Sequence, residues 1–145
     1  MFAETAPTLT RTVIDSLHIE AMVLADEARF YFDGEGMADR SKLTPVQRVL
    51  FSCESLKVTT RLMHSVAWLI PRRSPGDDQT RPRLGKADGS LIDVIASLPF
   101  DAQHIIEASE ELYDRIARLD DQMRLGVSVF NNPALSLQRS VERAF

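Results

Sequence analysis

Cysteine is nearly absent from this 145-residue chain: Cys53 stands alone. An intramolecular disulfide and a cysteine-rich zinc site drawn from one chain are both excluded, and a reducing compartment fits that usage best. Long apolar runs are missing too. The longest strongly apolar stretch, Val66 to Ile70, is far short of the ~20 residues that cross a bilayer. From Met1 to Thr10 the chain carries acid and threonine where an export signal places a basic stretch followed by an apolar run. Neither a membrane span nor secretion is expected, and a cytoplasmic location is. A basic excess is lacking as well. The net charge of -4 gives no global attraction to phosphate backbones of the kind DNA-binding domains use.

Catalytic and metal signatures are equally scarce. His18, His64 and His104 form no His-Glu-x-x-His or comparable helical ligand pair. No glycine-rich phosphate loop, Gly-x-Ser-x-Gly elbow or carboxylate-histidine cluster is visible. The chain reads as a non-enzyme with no cofactor and no metal. Cys53 sits among apolar neighbours, where a thiol serves as a small hydrophobe.

What is present is helical periodicity, and the length and ordinary composition suit one domain with one core. A first long helix is expected over about residues 8–33, with Val13, Leu17, Ala21, Leu24, Ala28 and Tyr31 on one face. Ile19, Met22, Val23 and Phe30 lie on another side, so this helix is read as burying two faces, with Gly34 and Gly36 as its stop. A second helix, about 44–70, opens on Thr44-Pro45-Val46-Gln47, a capping box with proline at the first helical position. Val46, Val49, Cys53, Leu56, Thr60, Met63, Ala67 and Ile70 follow a heptad seam, and Phe51, Val58, Leu62, Val66 and Leu69 wrap around it. Only Gln47, Glu54, Lys57, Arg61, Ser65 and Arg72 remain for water, so this helix is expected at the centre or in a subunit interface. A third helix, about 100–124, has its seam at Ile105, Ser109, Leu112, Ile116, Leu119 and Met123. Gly126 is read as its C-terminal cap, followed over 127–145 by a short helix or flexible tail. No alternating run bounded by hairpin turns suggests a strand. The expected fold is all-α: an antiparallel three-helix bundle, dimeric, in a single domain over 1–145.

Between the second and third helices, residues 71–89 concentrate proline, glycine and charge with almost nothing apolar, the composition of a mobile linker. Deleting residues 72–86 is accordingly expected to leave thermal stability nearly unchanged. Arg72, Arg73, Arg81, Arg83 and Lys86 make the linker locally basic, but Asp77, Asp78 and Asp88 dilute it and no aromatic is interleaved for base stacking. A DNA-associated regulator is thus a weaker alternative, and a structural dimer another. Glu54, Lys57 and Arg61, at i, i+3 and i+7, form an ion-pair stripe; with Arg72 and Arg73 they are the candidate partner-binding residues. Ile19, Val23, Phe30, Phe51, Val58 and Leu62 are the candidate dimer interface.

The run Phe51-Ser-Cys-Glu-Ser-Leu-Lys-Val-Thr-Thr-Arg-Leu-Met-His64, followed by Ala67-Trp68-Leu69, resembles the alphaproteobacterial RcdA family, regulators of CtrA degradation. Glu20 to Arg29 and Ser109 to Asp120 are similar to the same family. The resemblance implies a dimeric three-helix bundle acting as an adaptor, with the cell pole as an address. Its implied partners are the primed ClpXP protease with its priming factor, other adaptors, and response regulators or other cell-cycle substrates. Tethering a substrate near a protease raises its effective concentration into the mM range with short linkers, without chemistry by the tether.

Overall fold

The computed structural model describes residues 2–74, 76 and 81–131, with side chains described for 9–74, 76 and 81–126. Five helices follow in order: α1 (Phe2–Asp33), α2 (Glu35–Ser41), α3 (Pro45–Arg72), α4 (Ile92–Ala96) and α5 (Phe100–Asn131). No strand occurs among the described residues. The long helices α1, α3 and α5 pack against one another as a three-helix bundle. Residues 132–145, most of the expected short helix or tail, lie outside the described residues.

The start of α3 follows its sequence signal. Thr44 Oγ1 accepts from the Gln47 amide at 3.3 Å, the Thr44 amide donates to Gln47 Oε1 at 3.1 Å, and Pro45 occupies the first helical position. At the end of α1 the chain turns through Gly34 into α2. A Cβ on Gly36 would stand 2.6 Å from the Tyr31 carbonyl oxygen, so this close approach requires glycine. The expected cap at Gly126 does not form. That glycine has no positive φ, and α5 continues through it to Asn131.

The core is built by Ile14, Leu17, Ala21, Leu24, Ala28 and Tyr31 of α1, by Phe51, Val58, Leu62, Trp68 and Leu69 of α3, and by Ala102, Ile105, Ile106, Leu112 and Ile116 of α5. Ile95 and Leu98, in and just after α4, close it near the start of α5. Tyr31, Phe32 and Phe51 cluster around one end with ring centroids 5.1 to 6.4 Å apart, Phe32 meeting both other rings edge to face.

Ion pairs fix the helix directions. Arg73 meets Asp15 at 3.2 Å, and Tyr31 packs on Phe51, so α1 and α3 are antiparallel. Arg115 meets Glu20 at 2.6 Å and His104 lies 3.9 Å from Glu27, so α1 and α5 are antiparallel as well. It follows that α3 and α5 run parallel. The connection between them must therefore travel back along the bundle, as crossover connections do in other helical bundles.

Candidate interaction surfaces

α3 is turned opposite to the seam expected for its core. Val46, Val49, Leu56, Met63 and Ile70 are 53 to 71% exposed, and Cys53, Thr60 and Ala67 between them are exposed too. The residues expected to wrap the seam, Phe51, Val58, Leu62 and Leu69, form the core instead. Phe51, Val58 and Leu62 are thereby corrected as dimer-interface candidates, because α1 and α5 already cover them within one copy. Ile19, Val23 and Phe30 are exposed on α1, on the side away from its core stripe, so that helix buries one face only. The physical reason is that α3 carries two apolar stripes, and a bundle of three helices has room for one of them.

The polar stripe of α3, expected in water, is buried. Arg61 is 2% exposed, and Glu54, Ser65 and Arg72 are buried with it. Buried charge requires partners and hydrogen bonds, and the returning chain supplies them. Arg61 donates to Ser109 Oγ on α5 at 3.2 Å, to the Asp88 carbonyl at 2.8 Å and to Ser90 Oγ at 2.8 Å. Ser90 Oγ donates to Glu54, which also pairs with Lys57 at 3.2 Å, and Lys57 reaches the Gly89 carbonyl at 3.2 Å. Arg72 lies 4.0 Å from the Trp68 ring centroid and donates to the Trp68 and Pro82 carbonyls.

The same strap, residues 81–90, is held from α5. Asp120, 3% exposed, accepts from the Leu84 amide at 3.0 Å and pairs with Arg124 at 3.0 Å. Arg83 pairs with Asp121 at 2.7 Å, and Tyr113 donates its hydroxyl to the Gly85 carbonyl. Burial pushes the Tyr113 hydroxyl above its ordinary pKa of 10. Leu84 packs partly against the core. The expectation of a loosely attached linker does not hold for residues 81–90: they form no helix or strand, but they are tied down along both α3 and α5. Deletion of 72–86, which removes Arg72 and Leu84, is thus expected to lower stability.

The candidate partner-binding residues divide accordingly. Glu54, Arg61 and Arg72 lie beneath the strap, Lys57 at its edge is one-third exposed, and Arg73 sits half exposed beside Asp15. Cys53, read as core filler, faces outward. The sequence reading missed Ser90, Ser109, Tyr113 and Asp120 as parts of one network. A signal for the outward seam was present, since spacing of alternately three and four residues from Val46 to Ile70 is the coiled-coil repeat rather than that of a globular core. No group of three or more potential metal ligands occurs among the described residues, and none of the described helices is long and apolar enough to cross a membrane.

These features define an all-α bundle with outward apolar stripes on α3 and α1 and a strapped polar face on α3. The chain belongs to the family described as "Protein of unknown function (DUF1465)", which matches residues 5–145. Among solved structures it is similar to RcdA from Caulobacter crescentus, at 29% identity and a TM-score of 0.59, covering 76% of this chain and 89% of that one. The resemblance first carried by Phe51 to His64 thus extends to the fold. No curated protein matches the chain.

Proposed function

We propose that this chain is a non-enzymatic adaptor in regulated proteolysis, a cytoplasmic homodimer that helps deliver cell-cycle response regulators such as CtrA to the ClpXP protease. The single observation that carries the reading is the similarity to RcdA along most of both chains, in fold and in sequence. The outward α3 seam supports the dimer. Five of its apolar side chains are each more than half exposed along one line of the helix, an uncovered stripe of the kind that dimer interfaces burying about 800 Å² per partner are built on. The seam runs about 36 Å at 1.5 Å per residue, long enough for three heptads of knobs-into-holes packing. Ile19, Val23 and Phe30 are an accessory apolar stripe on α1 for the same partner or another. The arginines that motivate a DNA-associated reading are engaged within the chain, Arg72 beneath the strap and Arg83 with Asp121.

The test is a pull-down from alphaproteobacterial lysate, followed by degradation of purified CtrA by ClpXP and its priming factors with and without the chain. Enrichment of ClpX, its priming factors or response regulators, together with faster CtrA loss, is the expected result. Recovery of the chain's own dimer alone, with no change in degradation, would overturn the delivery role and leave a structural dimer.

A further inference from the structure

The strap reads as a peptide lying in a groove. Residues 82–90 make no helix and no strand, and their attachment is mostly to main-chain atoms. Side chains of the bundle donate to the carbonyls of Pro82, Gly85, Asp88 and Gly89, and Asp120 accepts from the Leu84 amide. Every extended peptide offers those groups. One apolar anchor, Leu84, adds side-chain contact.

The strap also fits its groove incompletely. A cavity of about 640 Å³ remains beside it, bounded by Arg61, Glu110, Tyr113 and Ala117 on the bundle and by Gly85 and Ala87 on the strap. A Cβ added at Gly85 or Gly89 would meet nothing within 4 Å. Glu110 Oε1, on the cavity wall, is a buried acceptor without a hydrogen bond; its nearest cation, Arg61, is 3.9 Å away. Such an orphan acceptor calls for a donor. The charge is complementary to a basic occupant: Asp114, Asp120 and Asp121 line the α5 side, facing a strap whose own charges over 81–87 are Arg81, Arg83 and Lys86.

We propose that the groove between α3 and α5 is a peptide-binding site, and that residues 81–90 fill it as a replaceable stand-in for an extended basic segment with a leucine anchor on another protein. Side chains larger than those of Gly85, Ala87 and Gly89 would use the cavity that the strap leaves empty, and a donor there would satisfy Glu110. Tethering sets the threshold for exchange. An attached strap acts at an effective concentration on the order of mM, so if the strap sequence itself binds the open groove at about 100 µM, any competing segment is weakened roughly tenfold in the intact chain. The assignment does not depend on the delivery role.

The test replaces Arg81–Ala87 with a glycine-serine run of equal length and keeps Asp88, Gly89 and Ser90, which hold Arg61 and Lys57. The probe is a fluorescein-labelled peptide copying Arg81–Asp88, read by anisotropy, with a second peptide carrying L84D as control. The expected result is binding at least tenfold tighter to the variant than to the unaltered chain, and lost with the L84D peptide. A variant that is helical and melts cooperatively, yet ignores the probe at millimolar concentration or binds both peptides alike, overturns the proposal. Should the variant not fold, amide exchange at Leu84 in the unaltered chain decides. Faster exchange with excess peptide supports the site, and unchanged exchange overturns it. Exchange that instead follows the concentration of the chain itself, without peptide, marks a second copy as the occupant and also overturns it.

Discussion

Replacing Arg61 with methionine separates a buried, strap-holding guanidinium from a solvated surface charge. Methionine keeps an unbranched apolar stem of similar reach but none of the donors to Ser109, Asp88 and Ser90. Hydrogen bonds from a charged group contribute about 1.5–3 kcal/mol each, and the desolvation of a buried guanidinium offsets much of that sum. The partners left behind are not all stranded: Ser90 retains its bond to Glu54, Glu110, 3.9 Å from Arg61, is one-third exposed, Ser109 retains its bond to the Ile106 carbonyl, and the Asp88 carbonyl can meet water. The net loss is therefore expected at about 2–4 kcal/mol, below the upper range for breaking a buried pair. At roughly 2–4 °C per kcal/mol for a chain near this size, the melting temperature falls by about 5–15 °C. Urea unfolding and calorimetry measure both quantities, with R29M as control, because the Arg29–Asp26 pair at 3.4 Å is exposed and its loss is expected to stay within about 0.5 kcal/mol. A loss below about 0.5 kcal/mol for R61M would refute the reasoning, since that is the scale of a helical surface pair.

Three further outcomes follow. The double variant L56D/M63D is expected to sediment as a monomer with unchanged helicity, because both side chains lie outside the core; four charged residues per interface weaken a dimer by roughly 4 kcal/mol or more, about a thousandfold, and unchanged sedimentation would remove the seam as interface. G36A places a Cβ against the Tyr31 backbone oxygen and 3.1 Å from its ring, so a loss of about 1–3 kcal/mol is expected in denaturant unfolding. The Tyr31 hydroxyl, buried and donating to Asp39 at 2.9 Å, has its pKa raised above the ordinary 10 by burial first and by Asp39 second. A raised folded value means stability is intact below pH 10 and declines as pH climbs from there toward the folded value, so unfolding curves should fall more steeply above pH 10 for the unaltered chain than for Y31F, and equal slopes would count against the buried phenol.

How much was legible in the sequence depends on which atoms carried the signal. The core face of α5 could be read directly from Ile105, Leu112 and Ile116, because the opposite face is uniformly charged and leaves no second choice. The start of α3 was equally legible, since a capping box is local chemistry. The orientation of α3 was not. Its circumference holds two apolar stripes and one polar stripe, and hydropathy alone ranks the polar stripe as the exposed one. What reversed that ranking is a set of long-range acceptors, the carbonyls of Asp88, Gly89 and Pro82, which any sequence possesses and periodicity cannot locate. The strap's composition misled for the same reason: glycine and proline report little apolar burial, whereas its attachment is through main-chain polar atoms.

The direction of α5 accounts for the length of that strap. Had α5 run antiparallel to α3, a loop of about 2–8 residues would join them. Because the two are parallel, the chain must return along α3, whose 28 residues span about 42 Å, a distance that needs at least about 13 extended residues. A long connection is thus a geometric requirement of this topology, and it lies along the α3–α5 groove, where the polar stripe of α3 meets Ser109 and Asp120. The returning chain supplies the acceptors that let Arg61 and Arg72 be buried, and its presence on that side leaves the heptad stripe from Val46 to Ile70 uncovered on the other. The proposed self-association through the seam and the proposed occupancy of the groove would consequently use opposite faces of one helix. A dimer formed through α3 leaves the strap accessible in both copies, so loss of the dimer in L56D/M63D should not alter probe binding to the opened groove, and a change of more than a few fold would show that the two faces are coupled.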